Sequence, residues 1–266
     1  MEIHPKVSII TPSFNQAAFL ERTMQSVLNQ SYKNIEYIVI DGGSTDGSLE
    51  LIQRYADELV YWESMPDRGQ TEAINKGFDR ASGEIMAYLN SDDLYYPHAV
   101  EEAVAFLSVN PEVGMVYGDA DYIDEVGDVI GRFPAAQTSY RRLRNGYVHI
   151  PQQATFFRRS LWDIVGPLDP GFYFAMDYDL WVRIASLTPL VYHPRTWAAF
   201  RLHGGAKTTQ AAAQCWPEMV RVHRRLGGGV VSPIYAKYLL RRILEPLMPL
   251  RLKLRLWRQR HLRTSD

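Results

Sequence analysis

Asn90-Ser91-Asp92-Asp93 concentrates the chemistry of this sequence, because it sets two carboxylates side by side where an apolar run ends. Adjacent like charges are unfavourable unless a cation or solvent relieves them. Hard oxygen ligands of this kind suit Mg2+ or Mn2+ kept partly hydrated for a phosphate partner. The same acids could instead cap the helix that opens at Pro97. Asp41, in Asp41-Gly42-Gly43-Ser44, could accept hydrogen bonds from a base or ribose, or serve only its own turn. Further polar groups stand in Thr11-Pro12-Ser13-Phe14-Asn15 and Asp67-Arg68-Gly69-Gln70.

Each cluster follows a short apolar run. Residues 7–11, 35–41, 59–62 and 85–89 are rich in β-branched and aromatic side chains and read as buried parallel strands. Helical spacing and start signals fill 17–30, 46–56, 70–80 and 97–109 between and after them. Repeated strand and helix predict a doubly wound open α/β sheet. Ligands of such sheets sit beyond the carboxyl ends of the strands, which sends all four polar clusters to one rim. After residue 113 the elements shorten: strands near 114–118, 129–133, 153–158, 189–193 and 197–202, and a helix near 177–186, predict an α+β half continuous with the first sheet.

Composition narrows the class. The 266 residues are 46% hydrophobic and 22% charged, which excludes collagen-like, disordered and coiled-coil chains. A lone Cys215 excludes an internal disulfide framework and any Cys-cluster zinc site, and fits a reducing, cytoplasmic setting. No basic-then-apolar leader and no run near the ~20 residues of a membrane span is expected. The net charge of −1 gives no reason to expect nucleic acid, but it hides an asymmetry. Nine Lys/Arg stand against Glu245 between Lys237 and Arg263, whereas the chain outside 235–266 has 20 Lys/Arg against 28 Asp/Glu.

In order and spacing, residues 7–15 (VSIITPSFN), 40–47 (IDGGSTDG), 67–77 (DRGQTEAINKG) and 89–93 (LNSDD) resemble the family 2 glycosyltransferases of the GT-A fold. The resemblance runs on through 152–159 (QQATFFRR), 177–183 (DYDLWVR) and 200–203 (FRLH), covering roughly 6–207. It implies a GT-A mixed sheet flanked by helices over 1–205, with 1–117 serving a nucleotide-sugar and 118–205 an acceptor, followed by a basic helical extension over 206–266. It further implies that Thr11, Pro12, Asn15, Asp41 and Arg68 border the nucleotide, with Asp41 reading uracil, and that Asn75, Gly77, Asn90 and Asp93 fall in the donor-sugar region. Asp92, with His203, would touch a Mn2+ or Mg2+ cofactor.

Two departures stand out. Asn90 replaces the first acid of the family's Asp-x-Asp, and Met176 replaces the first acid of its downstream Glu-Asp, leaving Asp177 as the base and Asp179 as its rival. The implied reaction is an inverting, metal-dependent sugar transfer from a nucleoside-diphosphate donor, a UDP-sugar, to a glycan or lipid-linked acceptor. The two lost acids keep open a catalytically weakened nucleotide-sugar-binding or assembly subunit.

Other motifs fail on context. Asp119-Ala120-Asp121 lacks the Gly and Glu of a calcium loop and reads as a solvent-facing hairpin edge. No P-loop and no dinucleotide fingerprint exist, and Pro-Ser-Phe-Asn after the first strand is not the basic, Gly-rich loop of a nucleotidyltransferase. In 235–262 leucines alternate with the cations, and Pro246 and Pro249 interrupt any helix. Two cationic amphipathic segments are expected, suited to peripheral contact with an anionic membrane. Packing on the catalytic body or in a homo-oligomer is the alternative.

Overall fold

β1 (Val7–Ser13), β2 (Ile35–Asp41), β3 (Tyr61–Ser64) and β4 (Ile85–Tyr88) run parallel in the order β3-β2-β1-β4. In the computed structural model, which describes residues 4–207 and 212–244, all seven residues of β1 are buried. That is the mark of a strand covered on both faces. Alternate residues serve opposite cores: Ile9 joins Leu20 and Met24 of α1 (Ala17–Leu28), while Ile10 joins Ile74 and Phe78 of α3 (Gln70–Arg80). α2 (Ser48–Arg54) follows β2, and a two-residue β5 (Leu94–Tyr95) and α4 (Ala99–Val109) follow β4.

The second half extends the same sheet. β6 (Met115–Ile123) forms a hairpin with β7 (Val129–Arg132), β8 (Thr155–Arg158) lies antiparallel between β4 and β6, and β9 (Leu190–Arg201) runs parallel to β6 and antiparallel to β5. The described strands thus form one mixed sheet ordered β3-β2-β1-β4-β8-β6-β9-β5, with β7 on β6. The two strands expected near 189–193 and 197–202 are one strand. Register shifts around Asp119 absorb the irregularity between them and let pairing with β6 continue.

α5 (Tyr140–Arg144) and α6 (Arg159–Val165) are too short to show a helical period and were not expected. α7 (Met176–Ala185), α8 (Ala212–Arg225) and α9 (Pro233–Leu244) complete the described chain. Val220 and Val222 of α8 and Ile234 of α9 join the core shared with α3 and α7, so this part of the extension packs back on the body. Leu239, Leu240 and Ile243 remain more than half exposed. The expected segments around Pro246 and Pro249 lie outside the described residues. No helix among the described residues is long and apolar enough to cross a membrane.

Candidate active site

The Asn90–Asp93 loop leaves β4 and is fastened from three sides. Thr23 of α1 donates to the carbonyls of Ser91 and Asp93 at 2.9 and 2.8 Å, and Gln152 donates to Tyr88 O at 2.7 Å. From β9, fully buried Arg201 donates through Nε to Asp92 O at 2.8 Å and through its guanidinium to the carbonyls of Asp124 and Glu125, each at 2.9 Å. Asp93, also fully buried, accepts from Arg201 N at 3.0 Å and Asn90 Nδ2 at 3.2 Å. Burial, and then the neighbouring Asp92 charge, push its carboxyl well above the usual carboxylate range. Asp93 therefore supports the loop from below and does not stand on the rim.

Asp92 is the acid the loop presents. Its Oδ2 lies 3.0 Å from Nε2 of His203, whose ring packs on Phe19 at 4.7 Å between centroids. The structure thus joins the two residues expected to touch a metal, 111 positions apart in sequence. The carboxylate suits Mn2+ or Mg2+, whereas the imidazole is a softer ligand than Mg2+ prefers, and the described residues hold no group of three or more His, Cys, Asp or Glu that could hold a metal ion. Two protein ligands leave room for a diphosphate and waters to complete the shell.

Asn90 begins a chain of hydrogen bonds that ends at Lys207. Its Oδ1 accepts from Gln70 Nε2 at 2.6 Å, and Gln70 Oε1 in turn accepts from Lys207 Nζ at 3.0 Å. Lys207 lies 4.0 Å from the Tyr173 ring centre. Burial lowers its pKa, and Asp177 and Glu218 oppose that shift.

Asp177, in the first turn of α7, faces this lysine's field. Burial raises its carboxyl pKa, partly offset by the N–H of Tyr178 and the charge of Lys207. Glu218 of α8 receives the three N–H groups that lead into α7, from Tyr173, Phe174 and Ala175, at 2.9, 2.7 and 2.8 Å. That carboxylate fixes the entry angle of the helix carrying Asp177. Asp179 is 1% exposed and bonded to Arg183 at 2.8 Å, an ion pair that ties α7 to the residues before it. Met176, at the position of the missing acid, is buried and receives the Thr71 hydroxyl on its sulfur at 2.8 Å.

The remaining expected residues are engaged within the protein itself. Asp41 is fully buried and accepts from Ser44 N at 2.8 Å, Gly43 N at 3.1 Å and the hydroxyls of Ser44 and Ser64 at 2.5 and 2.6 Å. Thr11 pairs with the Tyr37 hydroxyl at 2.9 Å, and Pro12 is buried within β1. Asn15, with φ of 51°, binds Thr45 N at 2.9 Å and so joins the loops after β1 and β2. Asn75 clasps the backbone of Leu168 with both amide atoms, at 2.9 and 3.0 Å. A Cβ at Gly77 would overlap Ile10, so this glycine lets α3 settle on β1. Arg68 is exposed and paired with Glu72 at 2.6 Å. Asp119 is not solvent-facing as expected: it is buried and accepts the Tyr192 hydroxyl at 2.7 Å, because β9 covers that edge of β6.

Residues 8–166 match the family described as Glycosyl transferase family 2. The chain belongs to that family. An uncharacterised glycosyltransferase of Mycobacterium tuberculosis is 38% identical over 184 residues, 68% of this chain and 69% of that protein. A Mycobacterium bovis glycosyltransferase of PGL/p-HBAD biosynthesis is 30% identical over 211 residues, 77% and 80% of the two chains. Among solved structures, Staphylococcus aureus TarS 1–349 with UDP-GlcNAc aligns at TM-score 0.70 and 16% identity, over 88% of this chain and 71% of that one. The match spans 43% of the longer TarS chain. A Pyrobaculum calidifontis mannosyltransferase with GDP-Man and Mn2+ aligns at TM-score 0.63 and 20% identity, over 91% and 70%. These structures share the GT-A-type mixed sheet with this glycosyltransferase. They also place the nucleotide-sugar sites of their own chains within a fold of this kind.

Proposed function

We propose that this glycosyltransferase moves a sugar from a UDP-sugar, with inversion and with a divalent metal, to a hydroxyl of a glycan or lipid-linked saccharide. The observation that carries the reading is the chain of hydrogen bonds from Asn90, two residues before the His203-paired Asp92, through Gln70 to Lys207, whose charge acts on the Asp177 carboxylate. Asp177 takes the proton of the acceptor hydroxyl as it attacks the anomeric carbon, a task suited to a carboxylate whose pKa burial has raised. Lys207 offers positive charge beside the departing diphosphate. Mn2+ or Mg2+ would be held by Asp92 and His203 and would supply charge stabilisation to the leaving group. Residues 1–117 serve the nucleotide-sugar and 118–205 the acceptor, with Lys207 and Glu218 reaching in from the extension. The enzyme works at the cytoplasmic face of a membrane, where its cationic C-terminal segment meets anionic lipid.

The test is nucleotide release from a panel of UDP- and GDP-sugars, with and without EDTA. UDP release that EDTA abolishes and Mn2+ restores supports the reading. Release indifferent to EDTA refutes the metal. Donor binding without release from any donor favours the second reading, a weakened binding subunit, for which Asn90 and the buried Met176 speak.

A further inference from the structure

A cavity of about 420 Å³ lies between α5 and the turn joining α8 to α9, lined by Tyr140, Arg141, Arg144, His223, Gly228 and Gly229. Its walls are pinned. The two ring nitrogens of His223 lie 2.6 Å from Arg144 O and 3.2 Å from Gly229 O, and a Cβ at Gly228 would overlap that ring. Neither Arg141 nor Arg144 has an ion pair among the described residues, and Nε of Arg144 is buried with no hydrogen-bond partner. Residues 139–150 and 226–244 contain no Asp or Glu, while Arg142, Lys237, Arg241 and Arg242 add to the charge. A guanidinium fork with free donors at a cavity fits a phosphate.

Exposed aliphatic side chains follow the last lining residue and continue along α9. Val230 and Val231 follow Gly229 directly and are 65% and 97% exposed, and Leu239, Leu240 and Ile243 of α9 are exposed as well. Unpaired arginines beside uncovered aliphatic side chains complement an amphiphile carrying a phosphate. We propose that this cavity seats the headgroup of an anionic phospholipid, orienting the enzyme on the membrane with Val230, Val231 and α9 against the acyl boundary. The proposal rests on the membrane-facing part of the function proposed above. It moves the decisive contact from the C-terminal segment to a built site in the body.

The experiment is co-sedimentation of the full chain with phosphatidylglycerol and with phosphatidylcholine vesicles, at constant ionic strength, with and without inorganic phosphate. The wild type sediments with phosphatidylglycerol only, inorganic phosphate does not release it, and Arg141→Gln/Arg144→Gln loses roughly tenfold or more in partition. Val231→Ser loses a smaller share with every charge retained, and both variants keep wild-type nucleotide release. Exposed Arg141→Gln alone replaces the double variant if the latter melts early. Variants that partition like wild type overturn the headgroup site and leave the membrane reading standing. A wild type that ignores phosphatidylglycerol overturns both, and release by inorganic phosphate identifies a free-anion site and overturns the lipid assignment.

Discussion

Asp92 and Asp177, the two acids to which the proposed function gives chemistry, are held in contrasting ways. The loop of Asp92 is bound through its backbone by Thr23 and Arg201, from α1 and β9, and through the amide of Gln152 at Tyr88. Those hydrogen bonds are buried or part-buried, and they come from a helix, a strand and the turn before β8. The helix of Asp177 is held by its own buried face and by Arg183, but the backbone that leads into it is bonded to Glu218, and Lys207 acts on its acid; both come after the last strand. The loop of Asp92 is therefore fixed by several elements of the body, whereas the start of the Asp177 helix is bonded to the C-terminal extension. On the function proposed above, a change at Glu218 alters acceptor chemistry while donor binding persists.

Breaking the Asp92 side gives the largest effect. Asp92→Ala removes the carboxylate proposed to hold the metal and the partner of His203, so turnover falls by roughly 10³-fold while the protein stays folded with a modestly lower melting temperature. A variant with wild-type, EDTA-sensitive turnover excludes Asp92 as the metal's residue. On the other side the contrast can be read as a pH profile. Asp177 acts ionised and burial raises its pKa, so turnover falls as pH drops through a value above the usual ~4 of an aspartate. A limb at the ordinary value, or one that survives in Asp177→Asn, assigns the titration elsewhere.

Glu218→Ala sharpens the difference. Three N–H groups lose their acceptor, α7 shifts, and kcat falls about tenfold while donor affinity stays at the wild-type level; a matching loss of donor affinity would show that the two sides are not separate. The smallest effect is expected from Asn90→Asp. The family's usual acid at this position would face the buried Asp93, to which Asn90 now donates, so stability drops by about 1–3 kcal/mol without a gain in turnover. Higher turnover at unchanged stability would mean that Asn90 is a lost acid and not a fitted amide.

The parallel half was legible in sequence, because strands buried on both faces appear as apolar runs and the helices between them keep a clear period. Even there β3 begins at Tyr61, two residues after the expected start. The second half was less legible: α5 and α6 span five and seven residues, and the single β9 depends on pairing with β6 that no local signal encodes. The resemblance supplied Asp92, His203 and Asp177. It did not supply Arg201, Gln70, Lys207 or Glu218, whose partners lie from 20 to 137 positions away. Asn75 and Gly77 show the converse, since their positions match the family's donor region while their atoms hold Leu168 and make room for Ile10.

The separation of donor and acceptor duties is tested most directly by measuring donor dissociation constant and turnover on one preparation of Asp177→Asn. The account predicts turnover lower by ~10²–10⁴ with the UDP-sugar bound as tightly as by wild type. Donor affinity that falls in step with turnover, or a greater loss from Asp179→Asn at unchanged stability, would contradict it.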